Sequence, residues 1–164
     1  MNTQELASPL EANTLALALE ANLEAELSGK AHQCALLGKQ EAALTAGDAA
    51  ALDAAALELL AELNLGLERA RTRAEIMAKL GAGLGVVPVR VESLAVALGA
   101  RGRRLAAQRS DLREICAESL ARGRRLVVLV RAHGALVEEA LGRFLAPDPS
   151  GTPLGRGSLV DARA

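Results

Sequence analysis

Leu36-Leu-Gly-Lys-Gln-Glu-Ala-Ala-Leu44-Thr-Ala-Gly47-Asp48 lies between two long segments rich in leucine and alanine, and its reading decides the fold. Good helix formers run up to Ala46, and a glycine and an aspartate follow. Glycine enters the left-handed conformation that ends a helix without the steric cost of a Cβ. The aspartate can accept hydrogen bonds from the first free N–H groups of a following helix. The stretch therefore predicts the end of one amphipathic helix, a tight turn, and a second helix running back beside the first.

Upstream, Ser8-Pro9 is a helix start, a capping residue followed by proline at the first helical position. Leu15, Leu19, Leu23, Leu27, Ala31, Cys34 and Leu37 then recur at four- and three-residue steps, and the stripe reaches about Leu44. Downstream, a second helix is expected from Asp48, with Leu52, Ala56, Leu60, Leu63, Leu67, Ala70, Ala74, Met77 and Leu80 on one face. Gly81-Ala-Gly83-Leu-Gly85-Val-Val-Pro88 predicts the break. A short amphipathic segment over 90–98 follows, and a last long helix over 100–145. In that helix Leu105, Leu112, Cys116, Ser119, Gly123, Leu126, Val130, Val137, Leu141 and Phe144 mark a discontinuous stripe expected to be buried. No stretch alternates with period two. The fold expected is all-α: an antiparallel, coiled-coil-like bundle of three long helices plus a short connecting helix over 1–146. A flexible tail containing Pro147, Pro149 and Pro153 occupies 147–164.

The 164 residues suffice for one domain with a real core. Apolar residues make up 51% but aromatics only 1%, so the core must be built from leucine knobs and alanine spacers. Charge is unevenly spread. Residues 1–65 carry ten acids and two lysines, net −8; residues 66–131 carry six acids and fourteen bases, net +8. Acidic early helices are expected to lie against the arginine-rich later ones. Ala100-Arg-Gly-Arg-Arg-Leu105 recurs as Ala121-Arg-Gly-Arg-Arg-Leu126, three heptads on, so both copies present the same helix face. Gly102 and Gly123 there are candidate points of close backbone approach.

Residues suited to chemistry are scarce. His32 and His133 are the two histidines, and no Ser-His-Asp arrangement can be built on them. Cys34 and Cys116 lack CxxC spacing and are expected to be buried, reduced thiols. The glycines of 81–85 follow a helix rather than a strand, and no Gly-Lys-Ser/Thr is present, so a nucleotide loop is not supported. Neither a catalytic residue, a cofactor nor a metal is expected. The arginines of 101–131 could neutralise phosphates, but there is no net positive charge and no stacking aromatic, so nucleic acid is not an expected partner. Met1-Asn-Thr-Gln-Glu-Leu6 has neither a basic nor an apolar region, and no apolar run is long enough for a bilayer. Cytoplasmic location without membrane insertion is the expectation.

Four features in order along the chain resemble the FlgN-like flagellar export chaperones. These are the hairpin text Leu36–Leu44 with Gly47-Asp48; Leu59-Leu60…Leu63…Glu68-Arg69…Arg71 with Leu80-Gly81; Leu129-Val-Arg-Ala-His-Gly-Ala-Leu136-Val137; and the ending Gly157-Ser-Leu-Val-Asp-Ala-Arg-Ala164. Arg131, His133 and Gly134 stand where that family usually has amides, and Leu159-Val160-Asp161 where it often has an aromatic. The resemblance implies a non-enzymatic chaperone of the flagellar type III secretion apparatus. Its partners would be hook-associated, hook–filament junction proteins, and beyond them components of the export apparatus. It also implies that the C-terminal helix and tail bind the substrate, which carries over to Leu136, Val137, Leu141, Phe144, Leu145, Leu159 and Val160. A self-assembling structural coiled coil is the competing expectation, and a homodimer stays open under either.

Overall fold

The computed structural model describes residues 9–87 and 89–145. Among them the chain forms four helices and no strand: α1 (Pro9–Ala46), α2 (Ala49–Leu84), α3 (Val91–Ala97) and α4 (Ala100–Leu145). Three long helices and a short one are what the periodicity predicts. Two compact units divide the chain, Met1–Leu129 and Val130–Ala164, and α4 contributes to both. The expected tail, 147–164, lies outside the described residues.

Local chemistry sets the turns. Gly47 takes φ +69°, and the Asp48 N–H donates to the Ala43 carbonyl at 2.9 Å, closing α1. The Asp48 carboxylate then accepts from the Ala51 N–H at 2.9 Å and opens α2. The break expected at Gly81 comes one turn later. Gly81 and Gly83 stay helical, and Gly85 caps α2 at φ +64° while the Val86 N–H donates to the Gly81 carbonyl. Gly81 is buried because, lacking a side chain, it leaves room for the Val89 side chain returning against the helix.

α1 and α2 pack side by side, antiparallel, along a seam of alternating three- and four-residue steps. On α1 it runs Ala12, Leu15, Leu19, Asn22, Glu26, Gly29, Gln33, Leu36, Gln40, Ala43; on α2 it runs Leu52, Ala55, Leu59, Glu62, Gly66, Arg69, Arg73, Ile76, Leu80. This is the 3.5-residue period of a left-handed supercoil. The α2 half corrects the expected stripe by one position: Ala56, Leu60, Leu63 and Leu67 are exposed. On α1, Ala31 likewise faces solvent. The physical reason lies in the middle of α1, whose seam residues are polar or small and need partners rather than leucines. Gln33 Nε2 donates to the Glu62 carbonyl at 3.4 Å, and Asn22 Nδ2 to the Arg69 carbonyl at 3.3 Å. The Arg69 side chain folds over Gly29, where a Cβ would leave it no space.

The wholly apolar core sits at the other end of the seam. Ala12, Ala16, Leu19 and Leu23 of α1 close there on Leu80, Val91, Leu94 and Leu105. Gly102 makes the α3–α4 corner possible, since a Cβ on it would overlap the Ala95 carbonyl. Gly123, its counterpart in the repeat, has nothing within 4 Å of where a Cβ would stand. The close approach expected of both glycines holds for Gly102 alone.

Within the first unit α4 lies along α1. Arg101 Nη1 donates to the Asn13 carbonyl (3.2 Å) and Gln108 Nε2 to the Glu20 carbonyl (3.3 Å). Farther on, Cys34 Sγ meets Ser119 Oγ at 2.9 Å, and Arg125 stands 3.5 Å from Glu41. Partners advance together along both helices, so α4 is parallel to α1 and antiparallel to α2. Acidic α1 against arginine-rich α4 is the complementarity that the charge distribution predicts: Glu20 faces Arg101 (3.6 Å) and Arg104 (4.0 Å) as well.

Candidate partner-binding site

From Val130 to Leu145 every residue of α4 is exposed. At 100° per residue, Val130, Val137, Leu141, Phe144 and Leu145 fall within a third of the helix circumference, whereas Leu136 stands about 80° outside that arc, beside Arg143. Arg131, Glu139 and Arg143 take the opposite half, where Arg143 pairs with Glu139 one turn away, and Glu138 borders the apolar arc next to Leu145. Leu136, Val137, Leu141, Phe144 and Leu145, the residues carried over from the family resemblance, thus share one amphipathic segment. Phe144, the one aromatic residue of the chain, is 87% exposed. The stripe expected to be buried along all of α4 is covered, fully or in part, at Leu105, Leu112, Ser119, Gly123 and Leu126, and exposed at Cys116, Val130, Val137, Leu141 and Phe144. Leu159 and Val160 lie outside the described residues.

A second apolar surface was not anticipated. In the first unit α2 and α4 flank a groove floored by α1. One stretch of it, about 1140 Å³, has Leu63, Leu67, Ala70, Ala74 and Met77 on the α2 wall and Arg109, Leu112, Arg113 and Cys116 on the α4 wall, with Leu23, Glu26, Lys30 and Gln33 below. The next, about 760 Å³, continues past Leu63, Cys116 and Gln33 to Leu120, Gly123, Arg124, Val127 and Val128. Most of the α2 residues expected in the core are therefore the wall of this groove. The signal for it in the sequence is Gly29, Gln33 and Gly66 at seam positions, which send the leucines of α2 to the neighbouring stripe.

The groove floor is charged but internally matched. Glu26 is buried, and its Oε2 accepts from Arg73 while Oε1 has no partner among the described residues. Burial pushes its carboxyl above the ordinary glutamate range, against the opposing pull of Arg73, Lys30 and Arg69. Glu62, also buried, holds Arg69, and Glu92 holds Arg109.

The remaining polar candidates do not assemble into a site. His32 and His133 are both exposed and far apart in the sequence. Cys34 is buried as expected, whereas Cys116 is exposed on the groove wall; both are free thiols. Among the described residues no cluster of His, Cys, Asp or Glu could hold a metal, and no helix is long and apolar enough to cross a membrane. What this arrangement can do is present apolar helix faces to other helices. No family model, no curated protein and no solved structure matches the chain.

Proposed function

We propose that the protein is an export chaperone of the FlgN-like type. It holds hook-associated proteins of the hook–filament junction in the cytoplasm and delivers them to the flagellar type III secretion apparatus, without enzymatic activity. The substrate is held by the distal part of α4, through Leu136, Val137, Leu141, Phe144 and Leu145, with Leu159 and Val160 of the C-terminal stretch.

The observation that carries this reading is the unbroken exposure of an apolar helix face from Val130 to Leu145. Burying one such leucine or phenylalanine side chain is worth about 1.5–3 kcal/mol, so a contiguous exposed set marks a face built for a partner. An amphipathic helix that docks another in register is a recurrent mode of segment recognition. The order of family-like features along the chain supplies the identity of the partner.

Co-purification of a hook–filament junction protein with the full chain tests it. Leu141→Asp with Phe144→Asp, and separately deletion of 146–164, are expected to reduce the recovered partner while helicity is kept. Undiminished recovery with both changes refutes the assigned face. A stable high-order oligomer by light scattering, without affinity for junction proteins, would favour the self-assembling coiled coil instead.

A further inference from the structure

The groove between α2 and α4 has a chemistry that specifies its occupant. Its walls are aliphatic, with Leu63, Leu67, Met77, Leu112 and Val127 turned to it. Both carboxylates that line it, Glu26 and Glu92, are already paired with Arg73 and Arg109. By contrast Arg90, Arg113 and Arg124, which also line it, form no ion pair among the described residues, while Lys30 on the floor donates to Gln33 beside Glu26. The surface on offer is therefore an apolar trough edged by uncompensated positive charge.

Its dimensions suit a helix. The α4 wall extends from Arg109 to Val128 and the α2 wall from Leu59 to Ala78. At 1.5 Å per residue each is roughly 28 Å long, about five helical turns. Leu63 and Leu67 are 45% and 60% exposed, so the wall lacks the cover that a fourth helix would supply.

We infer that this groove binds an acidic amphipathic helix of a partner protein, as the fourth helix of the bundle. Leucine-like side chains of that helix enter the trough, and its glutamates or aspartates meet Arg90, Arg113 and Arg124. A single-stranded nucleic acid suits the cations but not the trough, which has no aromatic platform for bases. The site belongs to the first unit and is independent of the face on distal α4, so either assignment can fail without the other.

The test uses the full chain and two fluorescent synthetic helices of twenty residues. Both carry leucine at the inward heptad positions; one has glutamate and the other lysine at the flanking positions. Anisotropy titrations are expected to show the glutamate helix binding at least about tenfold more tightly than the lysine helix, with the preference lost at high salt. Arg113→Glu with Arg124→Glu, at exposed positions, should abolish that preference, and Leu63→Asp with Leu67→Asp should abolish binding while the circular dichroism stays helical. Phe144→Asp should leave both titrations unchanged. Several results would overturn the inference: equal affinity for the two helices, no binding of either at 100 μM as an order of magnitude for a weak specific site, or loss of binding with Phe144→Asp. So would arginine-dependent binding of a single-stranded oligonucleotide in preference to the glutamate helix. Self-association of the chain that the Leu63→Asp, Leu67→Asp change dissolves would replace the partner with a second copy.

Discussion

One end of the α1–α2 seam and its middle have the same geometry and opposite chemistry. Toward Leu19, Leu23 and Leu80 the seam joins an apolar core closed by Leu94 and Leu105; from Glu26 to Gln40 it holds a carboxylate, a glycine and two amides around the single buried Leu36, with Glu62, Gly66, Arg69 and Arg73 on the α2 side. Helix geometry fixes which positions meet, but not what must stand there. Stability comes from the apolar end, where burial is complete. The polar stretch contributes register, since the Glu26–Arg73 pair and the Gln33–Glu62 and Asn22–Arg69 hydrogen bonds join the two helices and a slip by a heptad would remove them. It also displaces the leucines of α2 outward, to the wall of the groove.

The contrast breaks most visibly at the apolar end. Leu19→Ala is expected to lower the unfolding free energy by about 2–5 kcal/mol, read as a shift of the denaturant midpoint at constant slope. A loss below about 1 kcal/mol would mean that this end is not the stabilising one. The two repeated glycines should respond with opposite sign. Gly102→Ala forces a methyl onto the Ala95 carbonyl and costs about 1–3 kcal/mol. Gly123→Ala meets open space and stabilises by up to about 1 kcal/mol; thermal melts of the pair give both signs.

The polar seam gives smaller effects. Arg73→Ala leaves Glu26 without its cation and should cost about 1–2 kcal/mol, discounted because Arg73 is partly exposed. Glu26→Leu with Arg73→Leu removes both charges and should recover that loss. If it does not, the pair supplies stability as well as register. The pH dependence is the finest probe. Glu26 holds its proton more tightly folded than unfolded, so its contribution is full below the ordinary value of 4.5 and is lost as pH rises through the raised folded value. Measured as a difference from Glu26→Gln, wild-type stability should therefore fall from pH 4 towards neutrality. A rise would mean that Arg73, and not burial, governs the group.

The α1–α2 turn was legible in the sequence because it depends on single residues with local causes, Gly47 and Asp48. By contrast α2 ends at Gly85, one turn beyond the expected Gly81, because a helix tolerates glycine until one of them takes a positive φ. The face that each helix buries was less legible. On α2, Leu60, Leu63 and Leu67 are more apolar than Glu62, Gly66 and Arg69, and a periodicity argument assigns the more apolar stripe to the core. The choice between them depends on α1, whose Glu26, Gly29 and Gln33 accept only small or hydrogen-bonding neighbours. That information is split between segments some forty residues apart. The distal α4 residues were legible as an amphipathic face, yet their exposure was not, because the same spacing serves a core and a docking surface.

The parallel run of α1 and α4 sets an order of assembly. Hydrogen bonds between them join residues 81 to 88 positions apart, whereas the turn contact from Ala51 to Asp48 spans three. Closing the larger loop costs more chain entropy, and it waits on residues that are synthesised later. The α1–α2 hairpin is therefore the early folding unit, complete in sequence by Leu84, and α4 docks onto it afterwards. On a translating ribosome the groove has its floor and one wall before the arginines of the other wall have been made.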